Sequence, residues 1–253
     1  PDQARGFMSL LGDLVRAHPD VDFESCSSGG GRIDFGVLQL ASRVWLSDSN
    51  DALERLRMQH EASRWIAPEV QGSHVGPRHC HTSGRVLSMP FRAWVAAQRH
   101  MGFEMDPREL TPEESTTLQR VTSWWKDNRA FLFSGTLHRL ESDDREVFAE
   151  MTVDADADRF ILFAGQAGAS SQIFRRPLRV AGLDPAALYE ISLVNPEDVS
   201  PLANRRMVRS PDAEPQRLSG AFLMEHGIRL PNAVPASMTV MEGRRLKREE
   251  TDD

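Results

Sequence analysis

The sequence predicts an α/β plus all-β chain, half of an eight-unit (β/α)8 barrel over residues 1–133 followed by an antiparallel β-sandwich over residues 134–253. Three observations lead there. Through the first hundred residues a helix-period stretch alternates with a short β-like run ending in small or polar residues, the pattern of parallel β/α units. Strand ends fall near positions 25, 47, 75 and 106, which makes four units. From about Ser134 the pattern changes to short alternating runs separated by Gly, Pro, Asp and Asn, as antiparallel strands and their turns require.

The elements follow in order. Residues 3–18 place Phe7, Met8, Leu11, Leu14 and Val15 on one helix side, and residues 21–24 read as a strand running into Ser25 and Cys26. Residues 43–46 form the second strand, ending at Ser47 and Asp48, and residues 50–64 the next helix, with Asp51/Arg55 and Glu54/Met58 as i,i+4 supports. Residues 72–75 form the third strand, followed by a helix over 88–100, and residues 102–105 form the fourth, ending near Asp106. Thr111, Pro112 and Glu114 supply a cap, a first-turn proline and a capping-box glutamate, so a helix runs from there to about Arg129. Further strands are expected at 159–163, 178–180, 188–193 and 238–240, and the tail from Gly243, nearly free of apolar residues, is expected to fray.

Composition narrows the function classes. A net charge of −7 over 253 residues argues against nucleic acid as a partner, and no run of eighteen apolar residues predicts a membrane span. The only cysteines, Cys26 and Cys80, are too few for a disulfide framework or a Cys-x-x-Cys metal site, which points to a reducing cytoplasm.

In a parallel β/α barrel the reacting groups stand where strands end. The first strand is followed by Gly29-Gly30-Gly31, which is either a phosphate-binding nest or a turn needing positive φ; no P-loop ending or dinucleotide spacing accompanies it, so phosphate is disfavoured. Asp51 fits a helix cap. For Asp48 two readings stand: a carboxylate complementing the helix start, or a general acid kept protonated beside the indole of Trp45.

The combination of these blocks resembles glycoside hydrolase family 36. Residues Glu24-Ser25-Cys26-Ser27-Ser28-Gly29-Gly30-Gly31-Arg32-Ile33-Asp34 are similar to the family's Glu-Ser-Cys-x-x-Gly-Gly-x-Arg-x-Asp block. Trp45-Leu46-Ser47-Asp48-Ser49-Asn50-Asp51-Ala52-Leu53-Glu54-Arg55 resembles its Trp-x-Ser-Asp-x-x-Asp-Ala-x-Glu-Arg block. Weaker matches follow at Gly72-Ser73-His74-Val75, at Thr82-Ser83-Gly84-Arg85, and at Ser219-Gly220 with Leu223-Met224.

The resemblance implies the C-terminal half of a (β/α)8 TIM barrel with its β-sandwich, and a retaining α-galactosidase acting on melibiose- or raffinose-type oligosaccharides without metal or cofactor. It makes Asp48 the general acid/base, has Cys26 and Gly29 contact the galactose, and makes Trp45 an apolar wall. Arg32 and Asp34 are expected to form a structural ion pair, and His74 and His79 or His81, near the rim, to bond loop backbone rather than take part in catalysis. The family's nucleophile lies in a Lys-x-Asp block on an earlier strand. Neither Lys126-Asp127, on a helix, nor Lys247 fits that block, so the nucleophile is expected upstream and the chain alone inactive. Ser49, where many members carry aspartate, and the His/Cys-rich loop from Pro77 to His81 depart from the pattern and concern the aglycone. Another α-glycoside specificity, galactosyl transfer, or a non-catalytic sugar-binding protein are the alternatives, and a homo-oligomer of the intact enzyme stays open.

Overall fold

The structure is a computed structural model that describes residues 2–172, 175–199 and 215–247. Two sheets organise it. In the first half, β1 (Glu24–Ser25), β2 (Arg43–Trp45), β3 (Gln71–Val75) and β4 (His100–Phe103) form a parallel sheet in that order. The helix α1 (Asp2–Ala17) precedes β1, and a loop with a short 3-10 turn (Val37–Gln39) joins β1 to β2 where a helix was expected between parallel strands. The helices α2 (Ala52–Ala62), α3 (Met89–Ala96) and α4 (Pro112–Ser134) follow β2, β3 and β4. This is a partial (β/α) barrel.

Local chemistry accounts for the helix starts. Asp51 caps α2 by accepting from the N–H groups of Leu53 and Glu54, and Ser88 caps α3 by accepting from Phe91. Thr111 and Glu114 form the expected reciprocal capping box, and α4 continues to Ser134, past the expected Arg129, because Leu132 still finds a buried place. On α1, Phe7, Met8, Leu11 and Val15 pack against Val37, Ala41 and Val44, whereas Leu14, expected on that side, is exposed.

The second half is an antiparallel unit. Its six-stranded sheet comprises β5 (Thr136–Leu140), β6 (Val147–Val153), β7 (Arg159–Gln166), β8 (Leu188–Leu193), β9 (Gln216–Ser219) and β10 (Ser237–Arg245). They lie in the order β5-β6-β7-β10-β8-β9, with the short helix α5 (Gly220–Glu225) after β9. Because side chains alternate along a strand, β7 sends Ile161 and Phe163 to one face and Phe160 and Leu162 to the other. The first face packs, with Met238 and Val240 of β10, on Leu56, Phe91, Trp94, Val121 and Trp125 of the barrel helices. The opposite face is covered by Leu178, Val180, Leu183, Leu223 of α5 and Ile228.

α3 is therefore the central helix, buried along nearly its whole length between the parallel sheet and the antiparallel unit. Polar ties cross the same interface. Arg99 donates to Glu150 Oε2 at 2.7 Å, while His60 Nδ1 and Ser63 Oγ lie 3.2 and 3.0 Å from Oε1. Asp198 accepts from Trp94 Nε1 and from Arg120, each at 2.6 Å.

Several elements differ from expectation. The fourth strand lies two residues earlier than the pattern of 102–105 suggested, so Glu104 stands past its end rather than within it. Residues 178–180 make only one bridge, Leu178 to Ile228, and β5, β6 and β9 carry no strong alternation of their own. The tail does not fray at Gly243: β10 continues to Arg245, whose guanidinium pairs with Asp158 and Asp184, while 248–253 lie outside the described residues. No described helix is long and apolar enough to cross a membrane.

Candidate active site at the strand ends

The loops after β1 and β2 meet at one end of the parallel sheet. β1 and β2 pair in parallel, with Ser25 beside Val44, so the chain leaves both strands on the same side. After β1 the loop folds back through a bridge between Ser27 and Gly30 and a bond from Gly31 N–H to Ser27 C=O. Gly29, at φ +72°, lies buried on the second loop. A Cβ there would stand 3.0 Å from both Asp48 N and Ser47 Cα. Glycine is thus required twice at this position, for its dihedral and for the close approach.

This contact brings Cys26 and Asp48 together. Both are exposed, and Cys26 Sγ lies 4.0 Å from Asp48 Oδ1. Beneath them Trp45 is buried, 5% exposed, and its ring is covered by neighbours: the His74 ring stacks at 4.0 Å and the Arg55 guanidinium lies 3.6 Å from its centroid. His74 in turn bonds Glu104 Oε2 through Nδ1 at 3.1 Å, and Gly102 leaves the space in which the imidazole lies, since a Cβ there would meet His74 Cδ2 at 2.5 Å.

Charge is concentrated below the loops. Burial pulls the Arg55 guanidinium down to about 10, against the opposing pull of Glu104, Glu24 and Asp48. Burial raises the Glu104 carboxyl, but the His74 hydrogen bond and the Asn50 amide, with the charges of His74 and Arg55, outweigh it, and the net shift is downward. Asp51, also pushed up by burial, is held below its usual value by Ser83, Arg85 and the N–H groups of Glu54 and Leu53. Ser49 Oγ donates to Glu54 at 2.9 Å and lies 3.4 Å from Thr82 Oγ1, the first residue of the Thr82-to-Arg85 block. Among the described residues no group of three or more His, Cys, Asp or Glu side chains is arranged to hold a metal ion.

Three expectations need correction. Arg32 and Asp34 do not pair: Arg32 reaches across to α1, its guanidinium 3.8 Å from the Phe7 ring centroid, while Asp34 turns to its own local turn and accepts from Val37 N–H at 2.8 Å. His74 bonds a carboxylate, not loop backbone. Asp51 pairs with Arg85 of the Thr82-to-Arg85 block, leaving Arg55 to turn inward onto Trp45. Sequence reasoning missed Arg55, read only as an i,i+4 support of its helix, and Glu104, hidden by the misplaced strand end.

Comparison with known proteins agrees with this architecture. The melibiase family model matches residues 3–135, and the glycosyl hydrolase family 36 C-terminal domain matches residues 147–242. An α-galactosidase of Escherichia coli is 35% identical over 93% of this chain, which spans 34% of that protein; α-galactosidase Mel36A of Lactobacillus acidophilus is 32% identical over 73% of the chain and is spanned to 25%. The chain thus spans about a third or less of the length of these relatives. Among solved structures, the galactosidase domain of the α-galactosidase–sucrose kinase AgaSK superposes with a TM-score of 0.81 at 27% identity, covering 94% of this chain and 31% of that one. A variant of AgaA from Geobacillus stearothermophilus, solved with raffinose, gives 0.80 at 27% identity, covering 94% of this chain and 30% of that one. Matched by these family models over both halves and by relatives at this identity, the chain belongs to the melibiase family of glycoside hydrolase family 36.

Proposed function

We propose that this chain supplies the acid/base half of a retaining α-galactosidase that removes terminal α-linked galactose from melibiose- or raffinose-type oligosaccharides. The observation that carries the reading is the exposed Asp48 at the end of β2, 4.0 Å from Cys26 at the end of the neighbouring β1. The names of the relatives, and the raffinose and stachyose bound by the Geobacillus proteins, support the substrate class.

In this reading Asp48 gives its proton to the glycosidic oxygen as the bond to galactose breaks, and a carboxylate from outside this chain attacks the anomeric carbon. Asp48 then takes a proton from the water that hydrolyses the covalent intermediate. Cys26 and Gly29 border the sugar, whereas Trp45, expected as its apolar wall, is covered by His74 and Arg55 and supports the site from beneath. Residues 1–133 form the catalytic portion and 134–253 the accessory unit. The two free thiols fit a reducing cytoplasm.

The test is Asp48→Asn in the longer polypeptide that supplies the nucleophile. For unactivated galactosides turnover falls on the order of 10²–10⁴-fold, whereas substrates with very acidic leaving groups still form the intermediate and azide restores their turnover. Equal losses for both substrate kinds, without azide rescue, would rule Asp48 out.

A further inference from the structure

We infer that Arg55 is a positioning residue for the acid/base, holding the backbone on both sides of Asp48 through the carbonyls of Ser47 and Ser49. The inference rests on the assignment of Asp48 proposed above. Arg55 Nε donates to Ser49 C=O at 2.8 Å and Nη2 donates to Ser47 C=O. The residue between those two carbonyls is Asp48. Arg55 is 1% exposed and its guanidinium carbon lies 3.6 Å from the Trp45 ring centroid, so its position is set against a buried aromatic surface.

Burying a cation against two carbonyls is an expensive way to stabilise a fold, since an apolar side chain of similar volume would avoid the desolvation. What the arrangement provides is geometry. Asp51, the next carboxylate along, caps α2 and is bound to Arg85, so the turn from Ser47 to Asp51 is pinned at its far end by the helix and in its middle by Arg55. The same guanidinium sits among Glu24, Asp48 and Glu104, with Glu104 tied to His74 and His74 stacked on Trp45. Ends of three strands are thereby coupled to the orientation of one exposed carboxylate.

The experiment compares Arg55→Lys, Arg55→Gln and Asp48→Asn in the longer polypeptide, reading kcat/KM for an alkyl or raffinose-type galactoside and for a nitrophenyl galactoside. Lysine keeps the charge and glutamine one donor group, but neither spans both carbonyls as the planar fork does. We expect both Arg55 variants to lose on the order of 10²-fold with the poor leaving group, which needs a well-placed acid, and to stay within about threefold of the parent with the activated one. Equal losses on both substrates, no loss at all, or failure of both variants to fold would overturn the inference, the last because it would assign Arg55 to stability alone. If Asp48→Asn also shows no leaving-group dependence, the acid/base assignment itself fails. If only the Arg55 variants lack that dependence, the positioning role fails by itself.

Discussion

Cys26 Sγ and Asp48 Oδ1 lie 4.0 Å apart although twenty-two positions separate them in sequence. The approach is made by parallel pairing of β1 with β2 and by the absence of a Cβ at Gly29. It has a chemical consequence. On the role proposed for Asp48, a thiol this close to it is covered when a sugar occupies the space before Asp48.

Cys26 is therefore expected to be the thiol that alkylates rapidly in the folded protein, with Cys80, 3% exposed, labelling only on unfolding. Saturating galactose should slow labelling of Cys26 in the longer polypeptide by on the order of tenfold or more, the loss of access expected when bound ligand excludes the reagent. Mass spectrometry of the two tryptic peptides reads the result. Labelling of Cys26 unchanged by galactose would remove it from the sugar site.

Acid should act first on the interface between the two halves. Burial alone would raise the carboxyl of Glu150, but the Arg99 charge and the bonds from His60 and Arg99 bring it from 4.5 to about 2. A folded-state value below the unfolded one means stability that is present above about pH 4.5 and is lost as pH falls toward about 2. Glu150→Gln should flatten that part of the acid-unfolding profile, and should lower stability at neutral pH by about 3–5 kcal/mol because Arg99 is left buried without its counter-charge. Thermal unfolding at pH 3, 5 and 7 checks both. A Gln variant as acid-sensitive as the parent would show that other carboxylates govern the transition.

Residues 1–253 by themselves are expected to show no turnover of an aryl α-galactoside, since one carboxyl cannot both attack and protonate. Limited proteolysis should leave a resistant core that includes α2, α3 and α4 and not only the strands after Ser134, because Leu56, Trp94 and Trp125 share one apolar core with Phe163 and Val240. Turnover that follows the purified chain and disappears in Asp48→Asn would overturn the first expectation. A core beginning near residue 130 would overturn the second.

Much of the outline was legible along the chain. The capping box at Thr111, the cap at Asp51 and the succession of four short strands with the helices α2, α3 and α4 after the last three depend on neighbours a few residues apart, and such interactions leave their pattern in the sequence. So do the blocks around Cys26 and Asp48, whose residue types resembled the family before any contact was known. Partners were a different matter. Arg55 carries the same i,i+4 spacing from Asp51 whether it faces water or Trp45, and Arg32 stands two residues from Asp34 whether or not they pair. Glu104 acquires meaning only when β4 ends at Phe103 and His74 arrives from β3. The sequence by itself determined the elements and the reactive residue types, because those follow from local periodicity and turn chemistry. Only the tertiary structure decided which charges pair, which strands lie side by side and what supports Asp48, because a buried charge takes its partner from whatever element packs against it.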